Sequence, residues 1–218
     1  MSDPVPYAPA PPLASLGILG AGRVGKALAA RAADAGVAVA LAGSADDISP
    51  VVAADAVVLA IPLGRYRSLP AERLRGALVI DAMNYWWELD GARPDLDDPT
   101  TSTSQTVAAF LEGARVVKAL NHLSAYALEN LARRAGEPER IAVALAGDDQ
   151  ADTAHVAALI DAMGFDPIVA GPLAEGMRFE PGTELFGADA DRDEARLMLD
   201  RFWDTQRGRV VARARAAG

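Results

Sequence analysis

The chain has 218 residues, 51% hydrophobic and 23% charged, which is enough for one domain with a sizeable core and a small appendage. Its formal net charge of −9 leaves no basic footprint, so neither a nucleic acid nor an acidic membrane surface is expected as a partner. With 0 cysteines, disulfides, thiolate catalysis and cysteine-ligated metals are excluded; no metal site is expected, and the composition suits a reducing, cytoplasmic setting.

The first thirteen residues are rich in proline and lack both a positive segment and an unbroken apolar run, so residues 1–13 read as a disordered arm and not as a secretory signal. No apolar stretch reaches the roughly 18 residues of a membrane span. The nearest approach, residues 51–61, is interrupted by Asp55.

Leu16, Ile18 and Leu19 form a short apolar strand that runs into Gly20-Ala21-Gly22-Arg23-Val24-Gly25. An alanine-rich helical pattern follows and ends near Gly36. The glycines have separate tasks: Gly20 for the turn, Gly22 for close approach of a pyrophosphate to the backbone, and Gly25 for packing of helix on strand. The helix start then offers unpaired N–H groups and its positive end to phosphate. A glycine turn alone is common; strand before and helix after make this one a dinucleotide cradle.

A second strand over residues 37–41 ends at Gly43-Ser44, about 20 residues beyond Gly20, the distance at which such folds meet the adenosine ribose. Ser44 can donate to a 2′-phosphate or a 2′-hydroxyl and does not distinguish them. Ala45, Asp46 and Asp47 follow, with no cation beside them. The apolar run 56–61 has the pattern of a strand buried on both faces, and Pro62 ends it. Ile61, Pro62 and Leu63 would therefore sit at the carboxyl edge of the sheet, where ligands bind in open α/β folds. Arg65 and Arg67 either contact phosphate from this loop or are solvated. The strand 77–80 delivers Met83 and Asn84 to the same edge as further candidate cofactor contacts. Tyr85, Trp86 and Trp87 then form either a platform for a planar ring or an apolar lid or subunit contact.

Residues 91–103 read as loop, and Ser102 with Gln105 forms a capping box for a helix through Leu111. The strand 114–120 presents Asn121, His122 and Leu123 at the binding edge, ahead of a helix over 125–134. His122 is placed either to hydrogen-bond a carbonyl or relay a proton, or to serve as a buried polar cap. His155, alone within a helix, reads as structural or exposed. A strand (141–146), a helix (151–163) and a strand (165–170) extend the sheet. An amphipathic helix (191–203) and a basic tail (207–218), frayed or ending in helix, complete the chain. The expected architecture is α/β: a Rossmann-type, doubly wound, mostly parallel sheet over residues 14–123, with a small C-terminal α/β extension and helical tail over 124–218.

The motifs GILGAGRVGKALA, VVLAIPLG, RVVKALNHL, AGDD before a helix, and GFDPIVAGPLAEGMRFE, in that order, resemble the NADPH-dependent reductases of the deazaflavin coenzyme F420. The resemblance covers roughly Leu16 to Gly187. It implies hydride transfer between NADP(H), or NAD(H), and coenzyme F420 as co-substrate, in a homodimer. It places the pyrophosphate loop on Gly20, Ala21, Gly22, Arg23 and Val24 and the ribose-phosphate serine on Ser44. The deazaflavin pocket falls on Pro62-Leu63 and on Asn121-His122-Leu123, with Asn121 and His122 as polar anchor. Two departures stand out. Ala45 occupies the place of the family's arginine, which leaves the choice between NADPH and NADH open, and the family's histidine aligns with Asn121, one residue before His122. Two other readings compete: an NAD(P)H-dependent reductase of another small carbonyl or imine, and a dinucleotide-sensing protein without turnover.

Overall fold

The computed structural model describes residues 10, 11 and 13–217. Most of the proline-rich arm expected over residues 1–13 lies outside the described residues. Of its described part, Leu13 is buried and the Pro11 carbonyl lies 3.1 Å from Nδ1 of His155.

Seven strands form one sheet: β1 (Ser15–Leu19), β2 (Ala38–Ala42), β3 (Ala56–Leu59), β4 (Leu78–Asp81), β5 (Arg115–Ala119), β6 (Ala142–Gly147) and β7 (Asp166–Gly171). Their order is β2-β1-β3-β4-β5-β6-β7. Every neighbouring pair is parallel except β5 with β6, which run antiparallel with Lys118 opposite Ala146. This is the Rossmann-like, mostly parallel α/β architecture expected. The segment beyond residue 123 adds its two strands to the same sheet.

Parallel strands covered on both faces need apolar side chains in both directions, and the strands supply them. Ile18, Val58, Ile80 and Val117 face one way, against α1 (Arg23–Asp34), α6 (Ala125–Asn130) and α7 (Gln150–Ala162). Val57, Leu59, Val79 and Val116 face the other, against Leu63, Tyr66, Val107 and Leu111. Val107 belongs to α5 (Thr103–Phe110), which opens on the predicted capping box: the Ser102 side chain accepts from the Gln105 N–H while Gln105 accepts from the Ser102 N–H. Ala142, Ala144 and Ala146 of β6 pack under Phe179, Leu185 and Leu199, the last on α8 (Arg192–Arg201).

Several elements differ from the sequence reading. The helix expected over 125–134 stops at Asn130, because the Arg133 N–H is taken by the Gly164 carbonyl at 3.0 Å. Three single-turn helices, α2 (Ser49–Val52), α3 (Ala71–Leu74) and α4 (Trp87–Asp90), are too short to show a period. The segments Leu63–Ser68 and Leu173–Phe179 wind as 3-10 helix. The basic tail is a helix, α9 (Gln206–Ala217), tied down by Arg207 to Glu180 at 2.7 Å and Arg215 to Glu175 at 2.6 Å. Among the described residues no helix is long and apolar enough to cross a membrane.

Candidate active site

In this strand order β2 lies to one side of β1 and β3 to the other, so the chain reverses direction across the sheet between them. A crevice opens outside the carboxyl ends of β1 and β3. The glycine turn lies in it. Gly20 has φ +122, and its N–H donates to the Ala42 carbonyl at 2.8 Å. A Cβ there would strike the Ala60 carbonyl, and one on Gly25 would strike the Gly20 carbonyl. Gly22 is different: a Cβ on it would meet nothing within 4 Å. Two glycines thus serve packing, and the third keeps open a space in front of the helix. Gly22 is also the N-cap of the twelve-residue α1 and makes no side-chain cap bond, so the first-turn N–H groups have no partner within the helix.

The crevice holds about 690 Å³ and is lined by Gly20, Ala21, Gly22, Ser44, Ile61 and Pro62, all expected from the sequence. Gly43, read from the sequence as part of the same tip as Ser44, lines it as well, as do residues that sequence reasoning missed, among them Ile48, Ser68, Leu69 and Pro70. Arg65, which the sequence left undecided between phosphate contact and solvation, lines it too. Arg23 and Val24 are exposed at the start of α1 and Gly25 is buried beneath it; none of the three lines the crevice. At the β2 tip the exposed acids are held by donors of their own loop. Asp46 accepts from the Gly43 N–H at 2.8 Å, and Asp47 accepts from the Ser49 hydroxyl and N–H at 2.7 and 2.9 Å, which holds its carboxyl below the ordinary range. A second groove of about 600 Å³, near Pro99, Thr183 and Arg207, contains none of the glycine turn.

At the carboxyl ends of β4 and β5 two asparagines clamp each other. Asn84 donates from Nδ2 to the Asn121 carbonyl at 2.7 Å, and Asn121 donates from Nδ2 to Asn84 Oδ1 at 3.1 Å and to the Phe179 carbonyl at 3.0 Å. Both Asn121 N–H bonds are therefore used, and its buried Oδ1 has no partner among the described residues. Below the clamp lies a polar cluster that sequence reasoning did not find. Lys118 and Asp81 are both fully buried, with Nζ 2.5 Å from the Met83 carbonyl and 3.4 Å from Asp81 Oδ2; Asp81 also accepts from Ser104 Oγ at 2.6 Å and the Met83 N–H at 2.9 Å. The signal was present: one acid and one base, each inside an apolar strand without alternation, must find partners there.

The expectation that His122 anchors an acceptor is corrected. Its ring is enclosed, packs edge-on against Phe179 at 5.9 Å, and accepts at Nε2 from the Ala144 N–H of β6 at 3.0 Å. Burial pushes its pKa down to about 4, so the ring is neutral. Leu63, Met83 and Leu123 likewise are buried in the core, Leu63 and Met83 on one face of the sheet and Leu123 on the other, and none of them lines the crevice. Asn84 and Asn121 remain as clamped polar side chains at the carboxyl ends of β4 and β5. Beyond them Trp87 and Leu89 are 68% and 81% exposed, while Trp86 packs against Phe186 at 5.6 Å.

No family model matches the chain. A stretch of 78 residues is 37% identical to "Putative protein YjhV" of Escherichia coli (strain K12); it covers 36% of this chain and 55% of that protein, so the match spans about half the relative's length. Among solved structures, the hypothetical protein SMa0349 from Sinorhizobium meliloti is similar with a TM-score of 0.72 and 25% identity, over 83% of this chain and 97% of that one. A "putative f420 dependent nadp-reductase" from Arthrobacter sp. FB24 is similar with a TM-score of 0.63 and 22% identity, over 88% and 94%. An imine reductase from Bacillus cereus BAG3X2 is similar with a TM-score of 0.53 and 16% identity, over 87% and 60%. The shared feature is the Rossmann-like fold.

Proposed function

We propose that the protein is an oxidoreductase that transfers a hydride between NADP(H) and a deazaflavin of the coenzyme F420 type. The observation that carries this reading is the empty approach to Gly22 at the head of an uncapped helix, inside a crevice large enough for a dinucleotide. The fold shared with the Arthrobacter protein supports the choice of acceptor.

The nicotinamide, when bound, supplies the hydride chemistry; the chain supplies position. Amides of Ala21 to Gly25 hold the linked phosphates, and Ile48, Leu69 and Pro70 offer apolar surface to a flat base. The Asn84–Asn121 clamp fixes the two turns that flank the reactive end. Orientation and exclusion of water are what such a transfer requires of a protein. His122, neutral and enclosed, offers no proton at neutral pH. The same reading takes the working form as a cytoplasmic homodimer, with exposed Trp87 and Leu89 as apolar surface for the acceptor or a second subunit.

The test is calorimetric titration with NADPH and NADH, followed by addition of deazaflavin while the reduced nicotinamide absorbance is recorded. Binding followed by deazaflavin-dependent loss of absorbance is expected. Loss with small carbonyls or imines and none with deazaflavin would replace the acceptor, a reading the exposed Trp86–Trp87 segment favours. Binding without turnover over the whole panel would leave a sensing protein, and no binding at millimolar concentration would remove the reading altogether.

A further inference from the structure

We propose that Arg65, acting with Ser44 in the same crevice, recognises a phosphate on the 2′ position of the adenosine ribose; this rests on the dinucleotide reading above. The β2 tip carries no cation, since Ala45, Asp46 and Asp47 follow Ser44. The two carboxylates are engaged by donors of their own loop, Asp46 by the Gly43 N–H and Asp47 by Ser49. A cation for this phosphate must therefore come from another element.

The segment after β3 provides it. Of its arginines, Arg67 pairs with Asp95 at 3.2 Å, Arg73 donates to Ser49 Oγ at 3.0 Å, and Arg75 pairs with Glu72 at 3.3 Å. Arg65 has no ion pair among the described residues, and it lines the crevice that Ser44 also lines. The turn that carries it, by contrast, is fixed on both sides, and the Arg65 N–H itself donates to the Pro62 carbonyl at 3.0 Å. The Gly64 N–H donates to Asp90 Oδ1 at 2.9 Å, Arg93 donates to the Gly64 carbonyl, Ser68 Oγ donates to the Arg65 carbonyl at 2.8 Å, and buried Tyr66 donates to Asp95 at 2.7 Å. A free guanidinium on a pinned backbone is preorganised for an anion. Its planar fork matches two phosphate oxygens, and the Ser44 hydroxyl can donate to a third. Ile48, Leu69 and Pro70 leave an apolar slot for the base alongside. The site thus reads the phosphorylated ribose from β3's side of the crevice instead of from the residue after the serine.

Adenosine 2′,5′-bisphosphate and adenosine 5′-monophosphate differ only in the phosphate at issue, and calorimetry with each on wild type, Arg65→Gln and Arg23→Gln tests the assignment. Wild type is expected to bind the bisphosphate at least about tenfold more tightly. Arg65→Gln, an exposed substitution, should abolish that preference and leave 5′-monophosphate affinity unchanged. Arg23→Gln, at the helix start, should weaken both ligands alike. Equal weakening of both by Arg65→Gln would assign the guanidinium to the base or the 5′-phosphate and overturn the proposal. Absence of preference in wild type that still binds NADH would overturn it while leaving the dinucleotide reading intact; failure to bind any of these compounds would overturn both.

Discussion

A histidine at the carboxyl end of a strand in a parallel sheet normally meets ligand, yet His122 meets β6. The reason is the antiparallel direction of β6, which brings the Ala144 N–H onto Nε2 and closes the ring off from the crevice. Nothing in residues near 122 announces a partner twenty-two positions away, and so the ring's role was not legible. Its neutrality has a consequence for acid stability. The unfolded imidazole binds its proton near 6.5 and the folded one only near 4, so between these values the unfolded chain holds more protons and stability rises with pH. The contribution is whole above pH 6.5 and is lost as pH falls through about 4, a cost of about 3 kcal/mol at the acid end. In His122→Gln, whose side-chain oxygen can still accept from Ala144, the urea midpoint should fall less between about pH 7 and pH 4 than in wild type. Asn121→Leu should act differently. It leaves Asn84 Oδ1 and the Phe179 carbonyl without their donor, at about 1–3 kcal/mol for each acceptor, measurable by urea unfolding. Turnover should fall with it while affinity for adenosine 5′-monophosphate, bound at the other end of the crevice, stays.

The unit of strand, turn and helix from Ser15 to Asp34 was readable because each of its parts is local: apolar strand, glycine spacing, then an alanine-rich face. The structure adds that its glycines are not equivalent, and two valine substitutions separate them. At Gly25 a side chain would drive into the Gly20 carbonyl, so Gly25→Val should lower stability by several kcal/mol or prevent folding. At Gly22 the added carbon meets open space and the backbone, at φ −75, accepts any residue. Gly22→Val should therefore melt within about 2–4 °C of wild type, the shift expected for about 1 kcal/mol, yet lose at least tenfold in NADPH affinity. Parallel loss of stability and affinity at Gly22 would show that the residue is structural after all. The elements that escaped sequence reading are those without a period to read. Leu63–Ser68 and the single-turn helices are too short, and the helix 125–130 ends where a distant carbonyl, that of Gly164, competes for the Arg133 N–H. Asp81 and Lys118 were visible as charges in β4 and β5, but their pairing depends on the register that sets them opposite each other.

At the scale of the whole molecule, the basic tail read from sequence as frayed or ending in helix is a strut. Arg207 of α9 reaches Glu180, whose side chain is 4% exposed; Glu180 in turn accepts from the Thr103 N–H at 2.7 Å and hydroxyl at 2.9 Å. Thr103 begins α5, and its neighbour Ser104 bonds Asp81 in the cluster beneath the Asn84 turn. Val211 closes the same contact against Met177 and Phe202. A truncation after Thr205 removes the only guanidinium paired with Glu180 among the described residues and leaves a buried carboxylate with two neutral donors, a change that costs about 3–5 kcal/mol. Because the sheet runs unbroken from β2 to β7, this loss should lower one cooperative transition by about 10 °C rather than melt a separate tail domain. Calorimetry of the truncated chain checks the single transition. The charge argument is then isolated by adding Glu180→Gln: if the penalty is an unpaired carboxylate, the neutral amide restores part of the melting temperature in the truncated chain while lowering it in the full one. Equal effects of Glu180→Gln in both chains would mean that α9 stabilises by apolar packing around Val211 alone.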